Sequence, residues 1–305
     1  QLVNLTTAQM AVLTADQIAG LTTAQVGKLT ETQVGALTSS QVKVIETFDL
    51  QQLTAAQLQA ITTTAVKAMT VDQMTAITTA QIDKLSEAQV GVLSAAQVQS
   101  ITTAGIVKLT NSQVQALTTT AIKGMLTEQV SSLTATQLAN LTTAQVTVLT
   151  ADQLVSLTTV QISKLTAQQM GSMTTAQIKS IATDDLQQLT AGQLQGITTD
   201  GVKALLAEQV TALTTAQISK LTESQVGVLS VGQVQAIGTA DLTKLTNAQL
   251  QAITTTGVRG MSTDQLSALL PVQVANLTTA QVVALDTATQ VQSLTTAQVN
   301  KLTGD

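Results

Sequence analysis

Apolar and polar positions alternate along this chain in a fixed eight-residue rhythm that begins at Leu5. Copies read LTTAQMAV, LTADQIAG, LTTAQVGK and LTETQVGA, and 37 of them precede a partial LTGD at Leu302. Position one is Leu, Ile or Met, position two Thr or Ser, position five Gln, and position six Val, Ile, Leu or Met. The register slips once, at LDTATQVQS over residues 285–293, which holds nine residues. Such self-similarity marks a repeat architecture.

A continuous helix does not fit the rhythm. Eight residues are about 2.2 helical turns, so the apolar stripe would rotate by roughly 80° per octad and hold no face. A β-solenoid fits poorly as well. Positions one and six differ by an odd number, which places them on opposite faces of a strand. Turn residues are also scarce, with 16 Gly and one Pro in the chain.

The octad instead spells a helix start. With position two as N-cap, position five is N3, and Thr-x-x-Gln is a capping box; positions one and six become the two partners of a hydrophobic staple. Residues outside the consensus agree. Pro271, the lone proline, falls at N1, where a missing N–H costs nothing. All Lys and Arg occupy positions seven or eight, and every acidic residue except Asp83 occupies positions two to five. That segregation follows the helix macrodipole. The expected fold is all-α: a solenoid of very short capped helices, one per octad, each ended by a sharp bend and held by stacking on its neighbours.

Unusual octads give the winding. ETFDLQQ after Ile45 and ATDDLQQ after Ile181 lie seventeen octads apart, as do ITTAGIVK at Ile101 and IGTADLTK at Ile237, so a block of that length is duplicated. Lysine at position eight (Lys28, Lys84, Lys108, Lys164, Lys220, Lys244, Lys301) recurs at steps of seven or three octads. Basic residues at position seven, among them Lys67 and Arg259, do the same. A winding of about 3.4 octads per coil gathers each series into a stripe, the two on nearly opposite sides. Acidic residues at position four (Asp16, Asp72, Glu128, Asp152, Glu208, Asp264) form a third stripe, with Asp184 and Asp200 outside it. Ala65, Ala121, Gly201 and Gly257 replace the Gln on one further side. Residues 1–305 are thus expected to form a single continuous solenoid of about 27 residues per coil and about eleven coils. At helix-packing separations its length would be ~90–110 Å. Its interior is drawn from positions one and six, with Met69, Met125, Met173 and Met261 filling irregular gaps.

Composition narrows the chemistry. Cys, His, Trp and Tyr are absent and Phe48 is the only aromatic, so the usual zinc ligands, thiol nucleophile and near-neutral general base are missing. No enzyme and no cofactor is expected. The net charge of −5 and thirteen scattered Lys and Arg offer no phosphate-binding tract, so nucleic acid is discounted as a partner. No apolar run of about 18 residues marks a membrane span. The acidic stripe supplies one carboxylate per site where calcium needs six to eight oxygens, so no metal site is expected. Phe48, confined to one octad, is assigned a local packing role.

LTTAQVGKL and its neighbours resemble the short LTxxQ[VIL] repeats of very long bacterial proteins, many secreted or surface-attached. The resemblance implies an extracellular or cell-surface structural or adhesive role. A single octad also resembles the opening LTPxQV helix of TAL-effector repeats. The period there is thirty-odd residues and the base-reading loop has no counterpart here, so DNA binding is not carried over.

The leading expectation is a non-enzymatic structural protein, a rod that polymerises head to tail into a filament or forms a stalk. Written tail to head, the ends make LTGDQLVN, completing the thirty-eighth octad. Leu302, Thr303 and Asp305 of one copy are expected to dock on Gln1 and Leu2 of the next, and deletion of Gln1 to Asn4 to abolish the joint. The alternative is a surface-recognition module, for ice, a glycan or a cell surface, that uses Thr or charge stripes.

Overall fold

A computed structural model describes residues 2–302. Among the described residues there are thirty-six α-helices of four to seven residues, two 3-10 turns and no strand. The chain divides into two compact units, Gln1–Leu157 and Thr158–Asp305, and each is a solenoid of short helices.

Each octad is built as its polarity dictates. The N-cap threonine is extended, as at Thr14 (φ −71°, ψ 159°), and its Oγ1 accepts the N–H of Gln17 at 3.2 Å. Gln17 Oε1 in turn accepts the Thr14 N–H at 2.8 Å, closing the capping box. The helix ends on a tight i to i−3 bond, for example Leu117 N–H to Val114 O at 3.2 Å. The chain then leaves through two extended residues, of which Leu117 has φ −57° and ψ 133°. No described residue has a positive φ. The bend therefore needs neither glycine nor asparagine, which explains the scarcity of turn residues.

Positions one and six are buried throughout the body of each unit, from Val34 and Leu37 in the first to Leu266 and Leu269 in the second. The four methionines at position one are each 4 or 5 % exposed. Within a unit helices pack on those three octads along, as Ser39–Lys43 does on Thr63–Ala68 and Ala167–Ser172 on Ala191–Gly196. This is nearest-neighbour stacking, which rescues helices far too short to stand in water.

Two octads depart from the rule. Residues 77–84 form only a 3-10 turn at Ile82–Lys84, where Asp83, the acid out of place, pairs with Lys84 at 3.1 Å. The nine-residue octad takes up its extra residue before the helix Gln290–Ser293 begins. Asp286 Oδ1 accepts the N–H groups of Ala288 and Thr289 and the Thr289 hydroxyl, at 3.1, 2.9 and 2.8 Å. The hydroxyl first, then the two amides, hold the Asp286 carboxyl below its ordinary pKa. Phe48 corrects an expectation: it is 60 % exposed and packs no core, because position four faces outward.

Candidate functional site

Gln at position five is buried in most coils, and it does more than cap. Gln41 Nε2 donates to Met10 O at 2.8 Å and to Leu13 O at 2.7 Å, 31 and 28 residues earlier. Gln89 reaches Leu58 O and Ile61 O at 2.9 and 2.7 Å, and Gln129 reaches Val98 O and Ile101 O at 2.8 and 2.6 Å. The second unit repeats this with Gln209 on Ile178 O and Ile181 O at 3.0 and 2.8 Å, and Gln265 on Val234 O and Ile237 O at 2.9 and 2.7 Å.

The amide thus divides its labour. Its oxygen caps its own helix, and its nitrogen staples the preceding coil at the joint between the fourth and third octads back. Each octad therefore straddles that joint, which sets the winding between three and four octads per coil. The nine-residue octad keeps its staple, with Gln290 bonded to Val258 O and Met261 O at 3.0 and 2.8 Å. On the outer surface, glutamines at position seven add a second link, as Gln115 Nε2 to Asn140 O at 2.7 Å and Gln235 Nε2 to Gly260 O at 2.7 Å.

The staple was hidden from sequence reasoning because capping alone accounted for the glutamine. One signal could have exposed it. Glu closes a capping box as well as Gln and suits the positive end of the helix better, yet position five holds no Glu. Only the amide nitrogen distinguishes the two.

Gln9, Gln17 and Gln25 are the exception. They close their capping boxes, with Oε1 accepting the N-cap N–H at 2.9, 2.8 and 2.8 Å. Their side chains are exposed, and among the described residues their Nε2 atoms have no acceptor. Beside them Leu2, Val3, Leu5, Ala24, Gln25 and Lys28 line a concavity of about 730 Å³.

Leu2, in the 3-10 turn Leu2–Asn4, and Leu302, at the end of the helix Thr296–Leu302, are both half-buried. Gln1, Thr303 and Asp305, the other residues expected at a subunit joint, lie outside the described residues. Lys28, Lys84, Lys108, Lys164, Lys220, Lys244 and Lys301 are exposed, as are Asp16, Asp72, Glu128, Asp152, Glu208 and Asp264. Stacking brings the octads of Lys84 and Lys108 side by side, and likewise those of Glu128 and Asp152. Among the described residues no group of three acidic side chains is placed to hold a metal, and no helix is long and apolar enough to cross a membrane.

No curated protein matches the sequence. Residues 42–79, 106–143, 178–215 and 234–271 match the model of the ALTTAQ repeat. All four segments begin at position six of an octad and end at position three, so the matched unit keeps the phase of the stapled coil. The chain is a tandem-repeat protein that carries four segments similar to the ALTTAQ repeat family.

Proposed function

We propose that this chain is a non-enzymatic structural protein, a single octad array that assembles end to end into a filament or stalk at the cell exterior. One observation carries the reading: a coil presents amide donors on one edge and carbonyl acceptors on the other, as where Gln33, 2 % exposed, is bonded to Leu2 O and Leu5 O at 2.8 and 2.9 Å. A coil edge is therefore complementary to another coil edge, and a contact that repeats its own operation builds an open array. The apolar concavity beside the free amides supplies the burial that hydrogen bonds alone do not.

The test is electron microscopy of the purified chain beside the triple variant Gln9→Glu, Gln17→Glu, Gln25→Glu. Glutamate keeps the capping box and replaces the free donor with an anionic acceptor. Filaments are expected from the parent, and single particles of equal helicity from the variant. A parent that forms no filaments overturns the reading; filaments undiminished in the variant overturn the stapled joint.

A further inference from the structure

Among the described residues few charged side chains are paired with an opposite charge. Among the described residues there are two ion pairs, Lys84 with Asp83 at 3.1 Å and Lys203 with Asp200 at 3.8 Å. The macrodipole explains where in an octad a charge sits, but not which octads carry one.

The choice of octads follows a pattern. Lys28, Lys84 and Lys108 are separated by seven and then three octads, and so are Asp72, Glu128 and Asp152. The interval from Lys28 to Asp72 recurs from Lys84 to Glu128 and from Lys108 to Asp152. The second unit keeps the rule, since Glu208 and Asp264 follow Lys164 and Lys220 at that same interval.

The fold turns these intervals into equal axial spacings. Octads three apart are stacked neighbours in adjacent coils, as are those holding Glu128 and Asp152. The longer interval is two such steps. Because each octad sits over the joint between the third and fourth octads back, two steps down the stack span seven. Each series therefore runs along one side of its unit, and the acidic and basic series have identical spacing within the first unit.

We infer that the units associate side by side with a second copy of this chain, in parallel and displaced along the axis, so that the Lys28, Lys84, Lys108 series of one faces the Asp72, Glu128, Asp152 series of the other. Within one chain the octads of Lys108 and Glu128 stack, yet no ion pair among the described residues joins the two series; a displaced copy aligns all three pairs at once. An antiparallel copy reverses the order of the long and short intervals and aligns two. Exposed pairs are individually weak, so register across several coils supplies the specificity. Lys84 keeps its contact with Asp83 and shares its charge. The contact is separate from the end-to-end joint, which is apolar and amide-mediated.

Sedimentation velocity of the full chain tests this at about 0.01 M and about 1 M salt, between which the Debye length falls from about 30 Å to about 3 Å. The weight-average sedimentation coefficient should rise in dilute salt and fall back in concentrated salt. A variant with Asp72, Glu128, Asp152, Glu208 and Asp264 changed to Lys should not self-associate, nor should one with Lys28, Lys84, Lys108, Lys164 and Lys220 changed to Glu; mixed, they should. The double variant Lys108→Ser, Ser100→Lys keeps the composition, moves one charge by an octad, and should weaken association several-fold. Sedimentation independent of salt overturns the proposal, and so does undiminished association of the Ser100→Lys double variant, which would show net charge rather than spacing at work. The Gln9, Gln17, Gln25 triple variant should retain the salt-dependent association, so failure of one contact leaves the other testable.

Discussion

Replacing Gln by Glu should have opposite effects at two positions with the same octad role. At Gln145, 2 % exposed, Oε1 accepts the Thr142 N–H at 2.9 Å, and Nε2 donates to Val114 O, Gln115 O and Leu117 O at 2.9, 3.1 and 2.8 Å. Gln145→Glu keeps the cap and turns the donor into an acceptor. Two good hydrogen bonds are lost, at about 1 kcal/mol each, and an unsatisfied buried oxygen is left on each side, at about 1–3 kcal/mol each. The loss should be about 4–8 kcal/mol at neutral pH. At Gln17 the cap is the same but Nε2 has no acceptor, so Gln17→Glu should be neutral or stabilise by about 0.3–1 kcal/mol through the macrodipole.

Acid should separate the effects further. Carbonyl oxygens around the carboxyl introduced by Gln145→Glu disfavour its charge, so its folded pKa lies above the unfolded value of about 4.3. The penalty is therefore full above the folded pKa and shrinks as pH falls toward about 4.3, below which both states are protonated and the O–H can donate once. Urea unfolding followed by far-UV circular dichroism at neutral and acidic pH measures this. A loss at Gln145 below about 1 kcal/mol, or equal losses at Gln145 and Gln17, would refute the staple.

Three further outcomes follow from the irregular octads. Leu126→Thr should raise the thermal midpoint by an amount equivalent to about 1 kcal/mol, because Leu126 is an N-cap whose N–H reaches Gln129 Oε1 at 3.0 Å but whose side chain accepts nothing. The Asp286 carboxyl should titrate below its ordinary value by NMR and move up toward it in Thr289→Val; its stabilising contribution is present above the unfolded pKa of about 3.9 and is lost as pH falls through the lower folded value. Deleting Ala288 should restore an octad without lowering the urea midpoint, since Gln290 already holds its staple; a lower midpoint would show that the Asp286 turn is needed.

What sequence could reveal was governed by range. Thr14 and Gln17 are three residues apart, and capping is local chemistry, so the helix start was legible in the octads that keep both residues. The winding was legible because Lys28, Lys84 and Lys108, and separately Asp72, Glu128 and Asp152, recur at intervals that only a non-integral coil gathers into stripes. The second bond of Gln41 was not, because its acceptors lie 28 and 31 residues away and carbonyls carry no mark in a sequence. Phe48 was misplaced for a different reason. An aromatic was assumed to pack, although its position four holds Asp16, Asp72 and Asp152 elsewhere and faces water.

The exceptions at positions two and five show what forms the helices. Ala65, Gly105 and Gly257 keep the cap, each N–H reaching its threonine Oγ1 at 3.2, 3.1 and 3.0 Å, but have no staple. At Gly105 and Gly257 the Cγ2 of Ile101 and Ile253 stands 2.8 Å from where a Cβ would be, so an apolar branch takes the room a glutamine needs. Leu206 and Leu270 do the converse: they lack the hydroxyl, while Gln209 and Gln273 still staple, the latter to Leu242 O and Leu245 O at 3.1 and 2.9 Å. The octads of Glu46 and Asp49, and of Gly238 and Asp241, have neither the side-chain cap nor the amide, and each is still helical. What none of these octads changes is the apolar pair at positions one and six, from Ile45 and Leu50 to Ile237 and Leu242, all buried. Burial of that pair makes the short helix, and the cap and the staple fix where it begins and which joint it covers. A polar residue at position six should therefore unravel a coil that survives the loss of both.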